Sequence, residues 1–354
     1  MIILRKAAWV SLPRIYRENM EKYLEKLLDI GIDETYVIVS QGSGAIFPSR
    51  IKPQIGEFRG KDPLKEYIRI CRKLGIKIYT WIVSLNLPNN EFVEKHRDLY
   101  VVNKLGISCI DNPPYVPYYK WLCPSRDEVK TFLTQHFLEI AENYDVDGLH
   151  FDYIRLPDIL LPRGIRSRYE GVPLEDKILP QYDFCYCNVC REKYMEERGI
   201  DPIKLDYSDE EYSRWFKWRA DRITDIVKNV YKSVKNFDSS LEISAAVFAT
   251  PSLAYKYVFQ EWPKWGLDLY NPMIYHKYYN ENVDWIRTAV KEGVKGGVNI
   301  SAGILVGFME SKEEMYRGFK AAIDNGAVGV TIFVYPPPRP ELYDWIKYSL
   351  KKLD

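Results

Sequence analysis

Eight short apolar runs rich in β-branched and aromatic residues recur along the chain, and stretches with helical spacing separate them. Parallel strands need a crossover connection, usually a helix, so this alternation predicts an α/β fold with a parallel sheet. The runs are Lys6–Leu12, Glu34–Gln41, Ile76–Ser84, the strand inside Val146–Pro157, Leu241–Phe248, Leu267–Tyr275, Val298–Val306 and Gly329–Tyr335. Eight strand–helix units predict a closed (β/α)8 barrel. The 354 residues suit one barrel domain over 1–354, with residues 158–210 as a cysteine-containing insertion after strand four, over the C-terminal rim.

Local signals punctuate the helices. Tyr23, Leu24, Leu27 and Leu28 repeat at helical spacing and Gly31 closes that segment. Asp62 and Pro63 read as N-cap and first-turn proline, with Ile68, Cys71 and Leu74 on the buried face. Ser125 with Glu128 three residues on predicts a capping box for a helix ending before Asp145. Later helices are expected over about 211–235 and 340–350.

The stretch VDGLHFDYIRLP, Val146 to Pro157, carries the strongest chemical signal. Val146, Leu149 and Phe151 are apolar, Gly148 permits close approach, and Pro157 cannot continue a central strand. Alternation puts His150 and Asp152 on the barrel side and Leu149 and Phe151 on the helix side. An unpartnered buried carboxylate costs several kcal/mol, so Asp152 is expected to be paired or functional. Its position at the C-terminal end of a barrel strand favours function, against an ion pair with Arg155. Asp147 begins the strand, on the structural side.

Composition narrows the ligand. The net charge is +1, which offers no electrostatic case for nucleic acid or an anionic membrane surface. No run of about 18 apolar residues is present. The start, MIILRKAAWVSL, lacks the long apolar segment of a signal peptide, so a cytoplasmic protein is expected. The abundance of Lys, Glu, Ile and Tyr hints at a thermophile. The 28 Tyr and 9 Trp exceed what a core needs and suit a cleft that stacks sugar rings, although compositional bias would give the same count. No glycine-rich phosphate loop follows a strand. Cys185, Cys187 and Cys190 form C-x-C-x-x-C, a spacing that suits a structural zinc with Cys123 or Cys109 as fourth ligand; a disulfide or free thiols are the alternatives.

Five segments, in order, are similar to the glycosyl-hydrolase-like-10 family: RKAAWVSL from Arg5, RGKDPLKEYIRICRKLGIKIYTWI from Arg59, WLCPSRDEV from Trp121, YDVDGLHFDYIRLP from Tyr144 and WGLDLYNPMIYHKYYNENVDW from Trp265. The resemblance implies a TIM barrel and hydrolysis of a glycosidic bond. The family usually has two adjacent acids at the end of strand four; the first matches Asp152, and Tyr153 stands at the second. Where the family tends to have a His, two residues before Trp81, this chain has Tyr79. A weaker likeness to family 18 chitinases matches Asp147, Gly148, Asp152, Met273 and Tyr275. His150 and Ile154 stand where that family has acids, so its mechanism does not carry over.

The expectation is therefore a glycoside hydrolase acting on an oligosaccharide or glycoside, with Asp152 as nucleophile or transition-state-stabilising carboxylate and no cofactor required for catalysis. His276 is a candidate proton donor. His150, Arg155, Trp81, Asn271, Tyr275, Tyr335 and Trp9 are candidate substrate contacts. Glu310, Asp158, Asp183 and Asp111 each compete for the role of second carboxyl group. Two other readings stay open: a carbohydrate-binding barrel without a second acid, which Tyr153 motivates, and a metal-dependent hydrolase of another bond.

Overall fold

The structure is a computed structural model and describes residues 4–353, so the first three residues of the N-terminal run lie outside it. Eight parallel strands close into a barrel: β1 (Arg5–Val10), β2 (Glu34–Gln41), β3 (Lys77–Val83), β4 (Gly148–Asp152), β5 (Glu242–Phe248), β6 (Leu269–Met273), β7 (Ser301–Leu305) and β8 (Gly329–Tyr335). Each pairs with its neighbours in chain order, and β1 pairs with both β2 and β8 to close the ring. A two-residue strand, Gly44–Ala45, folds back antiparallel on β2. Every run read as a strand overlaps one of the eight, and the expected (β/α)8 barrel is the fold the chain adopts. No helix among the described residues is long and apolar enough to cross a membrane.

Alternation sorts the side chains into two packed regions. Leu149 and Phe151 of β4 face the helices, where Phe137 lies 4.3 Å from Phe151 between ring centroids. Ala7, Trp9, Tyr36, Tyr79, Ala246 and Leu269 fill the barrel interior. At the N-terminal end Arg5 closes the barrel, donating to Glu34 and Glu242 at 2.8 Å and to the Tyr79 hydroxyl at 2.9 Å. Asp147, below the same end of β4, accepts from the Ile78 amide and from Arg72.

The helix over Pro63–Leu74 starts as its sequence dictates, with the Asp62 side chain accepting from the Lys65 amide and Gly75 ending it at φ 73°. The helix expected to begin at Ser125 differs. It runs Asp127–Asn143 with Arg126 at the N-cap and no side-chain cap. Ser125 lies one position too early to reach the orphan amides. The acids Asp127 and Glu128 occupy the first turn instead, where the helix dipole favours negative charge.

Gly148 is required by contact. A Cβ there would fall 2.1 Å from the Glu242 carbonyl oxygen and 2.8 Å from the Tyr79 ring. Gly148→Ala should therefore lower stability by about 2–3 kcal/mol or prevent folding, whereas Gly56→Ala, in open space, should stay within about 0.5 kcal/mol. Denaturant unfolding monitored by circular dichroism compares the two.

Outside the barrel, Lys52 is buried with its amine 2.9 Å from the Ser40 hydroxyl, which also meets His136 Nε2 at 2.9 Å. Burial pushes the Lys52 ammonium down to about 7. Between pH 7 and the ordinary lysine range the unfolded chain binds this proton and the folded chain does not, so stability rises with pH through that window. Lys52→Met should lack that rise, which urea unfolding at a series of pH values measures.

Candidate active site

The C-terminal mouth of the barrel holds a cleft of about 440 Å³. Asp152, the last residue of β4, reaches it while remaining only 6% exposed. Both carboxylate oxygens are held: Trp81 Nε1 donates to Oδ2 at 2.8 Å, and the Tyr153 amide donates to Oδ1 at 2.7 Å. Tyr153 makes its bond from the left-handed region, φ 50°, a conformation of order 1 kcal/mol or more above the extended one for a side-chain-bearing residue. Burial pushes the Asp152 carboxyl up, opposed by the Trp81 and Tyr153 donors and by the charge of Arg155.

The ion pair with Arg155, the alternative to a functional Asp152, does not form. Arg155 pairs with Asp158 at 2.8 Å and donates to the Leu156 carbonyl. Its guanidinium is caged by Trp121, Tyr153 and Phe248 at 4.7–5.1 Å. Arg155 and Asp158 both line the cleft, so two carboxylates face one cavity. The other candidates for a second acid lie elsewhere. Asp183 is fully buried, bonded to Arg219, Tyr186 and Tyr212. Glu310 and Asp111 are exposed partners of Lys277 and Arg97.

Trp9, Trp81 and Tyr275 line the cleft. Phe333 joins them, 6.0 Å from Trp9, 6.2 Å from Trp81 and stacked 5.6 Å from Tyr275. His150 lies beneath and does not line it. Its Nε2 accepts from Trp9 Nε1 at 3.0 Å, so its proton sits on Nδ1 and is donated to Ser244 Oγ at 2.8 Å. Burial pushes the imidazole down to about 3, which keeps it neutral. His150 therefore supports the Trp9 ring from the layer below the cleft. Asn271 is also below the cleft, donating to Thr331 Oγ1 at 2.9 Å inside the barrel.

Two expected site residues point elsewhere. Tyr335 is buried against the outer helices and donates to the Tyr23 carbonyl. The register between β1 and β8 shifts at Ala8/Val10, and such a bulge changes which face the following residue meets. His276 does not line the cleft, because the chain turns after Tyr275 into a 3-10 turn over His276–Tyr279. Its ring packs on Phe308 at 5.7 Å, and burial lowers its pKa.

Much of the wall was missed from sequence. Tyr115 and Tyr119 come from the proline-rich excursion before Trp121, Tyr169 from the insertion, and Tyr278 and Tyr279 from the turn after β6. The signal available was the pairing of prolines and aromatics over 113–119. Cys185, Cys187 and Cys190 do not line the cleft.

Fold and cleft together define a (β/α)8-barrel protein with an aromatic, acid-bearing pocket at the C-terminal mouth. The chain belongs to the glycosyl hydrolase-like 10 family, whose model matches residues 4–160 and 164–321. It is 27% identical over 161 residues to glycosyl hydrolase DigH of Escherichia coli K12, covering 40% of this chain and 35% of that protein. It is 22% identical over 234 residues to glycosyl hydrolase YngK of Bacillus subtilis, covering 62% of this chain and 38% of that one. The chain thus spans little more than a third of those relatives. Among solved structures it is similar in fold to the catalytic domain of a β-amylase from Paenibacillus polymyxa, with TM-score 0.68 and 12% identity, over 100% of this chain and 99% of that one.

Trp81→Phe removes one donor to ionised Asp152. That bond favours the ionised form, so without it the Asp152 carboxyl should titrate higher than in the unaltered protein. Carbon-13 NMR of the aspartate carboxyls reads the shift.

Proposed function

We propose that this protein is a glycoside hydrolase in which Asp152 is the central carboxylate and Asp158 the second carboxyl group. The observation that carries the proposal is that both acids line one aromatic-walled cleft at the C-terminal mouth of the barrel. Aromatic faces cover the apolar side of a sugar ring, while Arg155 and the tyrosine hydroxyls offer partners to its polar edge. Family membership and the barrel it shares with glycosidases support the same reading.

Asp152 is positioned to act on the reacting carbon. Its two N–H donors fix its orientation, and water is largely excluded around it, so its charge opposes an oxocarbenium-like transition state across a low-dielectric gap. The same placement suits nucleophilic attack. Asp158, ion-paired with Arg155, is the group left to exchange protons: as the acid it gives one to the departing glycosidic oxygen, and as the carboxylate it takes one from the incoming water. Tyr153 in place of a second adjacent acid motivates the rival reading, a barrel that binds sugars without cleaving them.

A panel of aryl glycosides tests both. Asp152→Asn should lower kcat/KM by about 10³-fold and Asp158→Asn by at least about 10²-fold, with circular dichroism unchanged. Undiminished activity in Asp152→Asn removes that residue from its role. Saturable oligosaccharide binding by the unaltered protein, with no turnover across the panel, favours the binding barrel.

A further inference from the structure

Four cysteines meet where two irregular segments join. Cys123 lies at the end of the excursion that follows β3, just before the helix Asp127–Asn143. Cys185, Cys187 and Cys190 come from the insertion, the last two at the N-cap and in the first turn of the helix Asn188–Arg198. Backbone pairing brings the segments together: the Lys104 amide donates to the Asp183 carbonyl at 3.0 Å, and the Tyr186 amide to the Val102 carbonyl at 2.7 Å. Lys193, on the same helix, donates to the Ser125 carbonyl at 2.8 Å.

The sulfurs form a compact cluster. Cys123 Sγ lies 3.7 Å from Cys187 Sγ and 3.3 Å from Cys190 Sγ, and the latter two are 3.6 Å apart. All four lie within 4.8 Å of one another, and each is at most 5% exposed. A tetrahedron with metal–sulfur bonds of about 2.3 Å has sulfur–sulfur edges of about 3.8 Å. A disulfide needs about 2.05 Å, far shorter than these separations. A cluster carrying its own sulfides would hold its cysteines farther apart than a single ion does. Cys109, the other candidate for fourth ligand, is excluded by placement: its sulfur takes the Trp121 amide at 3.2 Å.

From this geometry we infer that Cys123, Cys185, Cys187 and Cys190 bind a single zinc ion that fastens the insertion to the excursion before helix Asp127–Asn143. The set is closed, with four thiolates and no open position, which is the pattern of a structural rather than a catalytic zinc. The Cys187 amide donates to Cys185 Sγ at 3.4 Å, orienting a ligand as outer-shell donors do. Zinc binding would release the thiol protons and leave every sulfur with a partner.

The joint also borders the proposed active site. Tyr182, three residues before Cys185, stacks on Tyr115 at 4.4 Å, and Tyr115 lines the cleft. Zinc here positions a cleft wall and does not touch substrate.

The test is metal content by inductively coupled plasma mass spectrometry on protein purified under reducing conditions, then stripped and refilled with zinc alone. About one zinc per chain is expected, falling about tenfold or more in Cys187→Ser and unchanged in Cys109→Ser. Should Cys187→Ser fail to fold, cobalt substitution of the unaltered protein reads the site through the visible bands of a tetrahedral tetrathiolate. Absent bands, four thiols that remain freely titratable after refilling, a disulfide found by mass, or stoichiometric iron in place of zinc would each overturn the proposal.

Discussion

A closed ring of parallel strands has an interior that must be filled, and how it is filled decides where chemistry can happen. Here the lower layers are taken by Arg5 with its two glutamates, by Tyr79 and Tyr36, and by His150 between Trp9 and Ser244. Arg5, Tyr79 and His150 are tied to other side chains, and together with the packed rings they plug the barrel from below. The first space begins where the Trp9 and Trp81 rings form a floor, and Asp152 stands at that level. Its burial and its two donors follow from one register: β3 pairs Trp81 with His150 and Val83 with Asp152, bringing the indole alongside the carboxylate.

The barrel was legible because its signal is periodic. Eight strands buried on both faces leave apolar runs, and the inward placement of His150 and Asp152 follows from alternation alone. Gly148 announced a close approach that the Glu242 carbonyl and Tyr79 ring now account for. The site was legible where it rides on strands, as with Asp152, Trp9 and Trp81, or lies within a few residues of a strand end, as with Arg155, Asp158 and Tyr275. Tyr335 and His276 fall outside the cleft because alternation stops applying at a bulge or a turn: Tyr335 ends β8 past the register shift, and His276 lies in the turn that follows β6. The tyrosines at 115, 119, 169, 278 and 279 lie on irregular backbone, which carries no period to read. The acids show the same limit. Asp158 and Asp183 look alike in sequence, but one ends beside Arg155 in the cleft and the other inside the insertion's own core against Arg219.

The insertion is tied down at several points along its length. At one end, its cysteines meet Cys123. At the other, Asp176 is bonded to Arg163, Arg166 and Lys256, the last on a helix that follows β5. Asp183 adds a buried tie to Arg219 of the long helix Glu210–Phe237. A segment moored at three places behaves as a strap and not as a hinged cover. Exchange of a ligand with solvent then falls to rotations of individual rings, Tyr169 and Tyr278 among them, and the breadth of what enters is set by a fixed frame of backbone with a pliable lining.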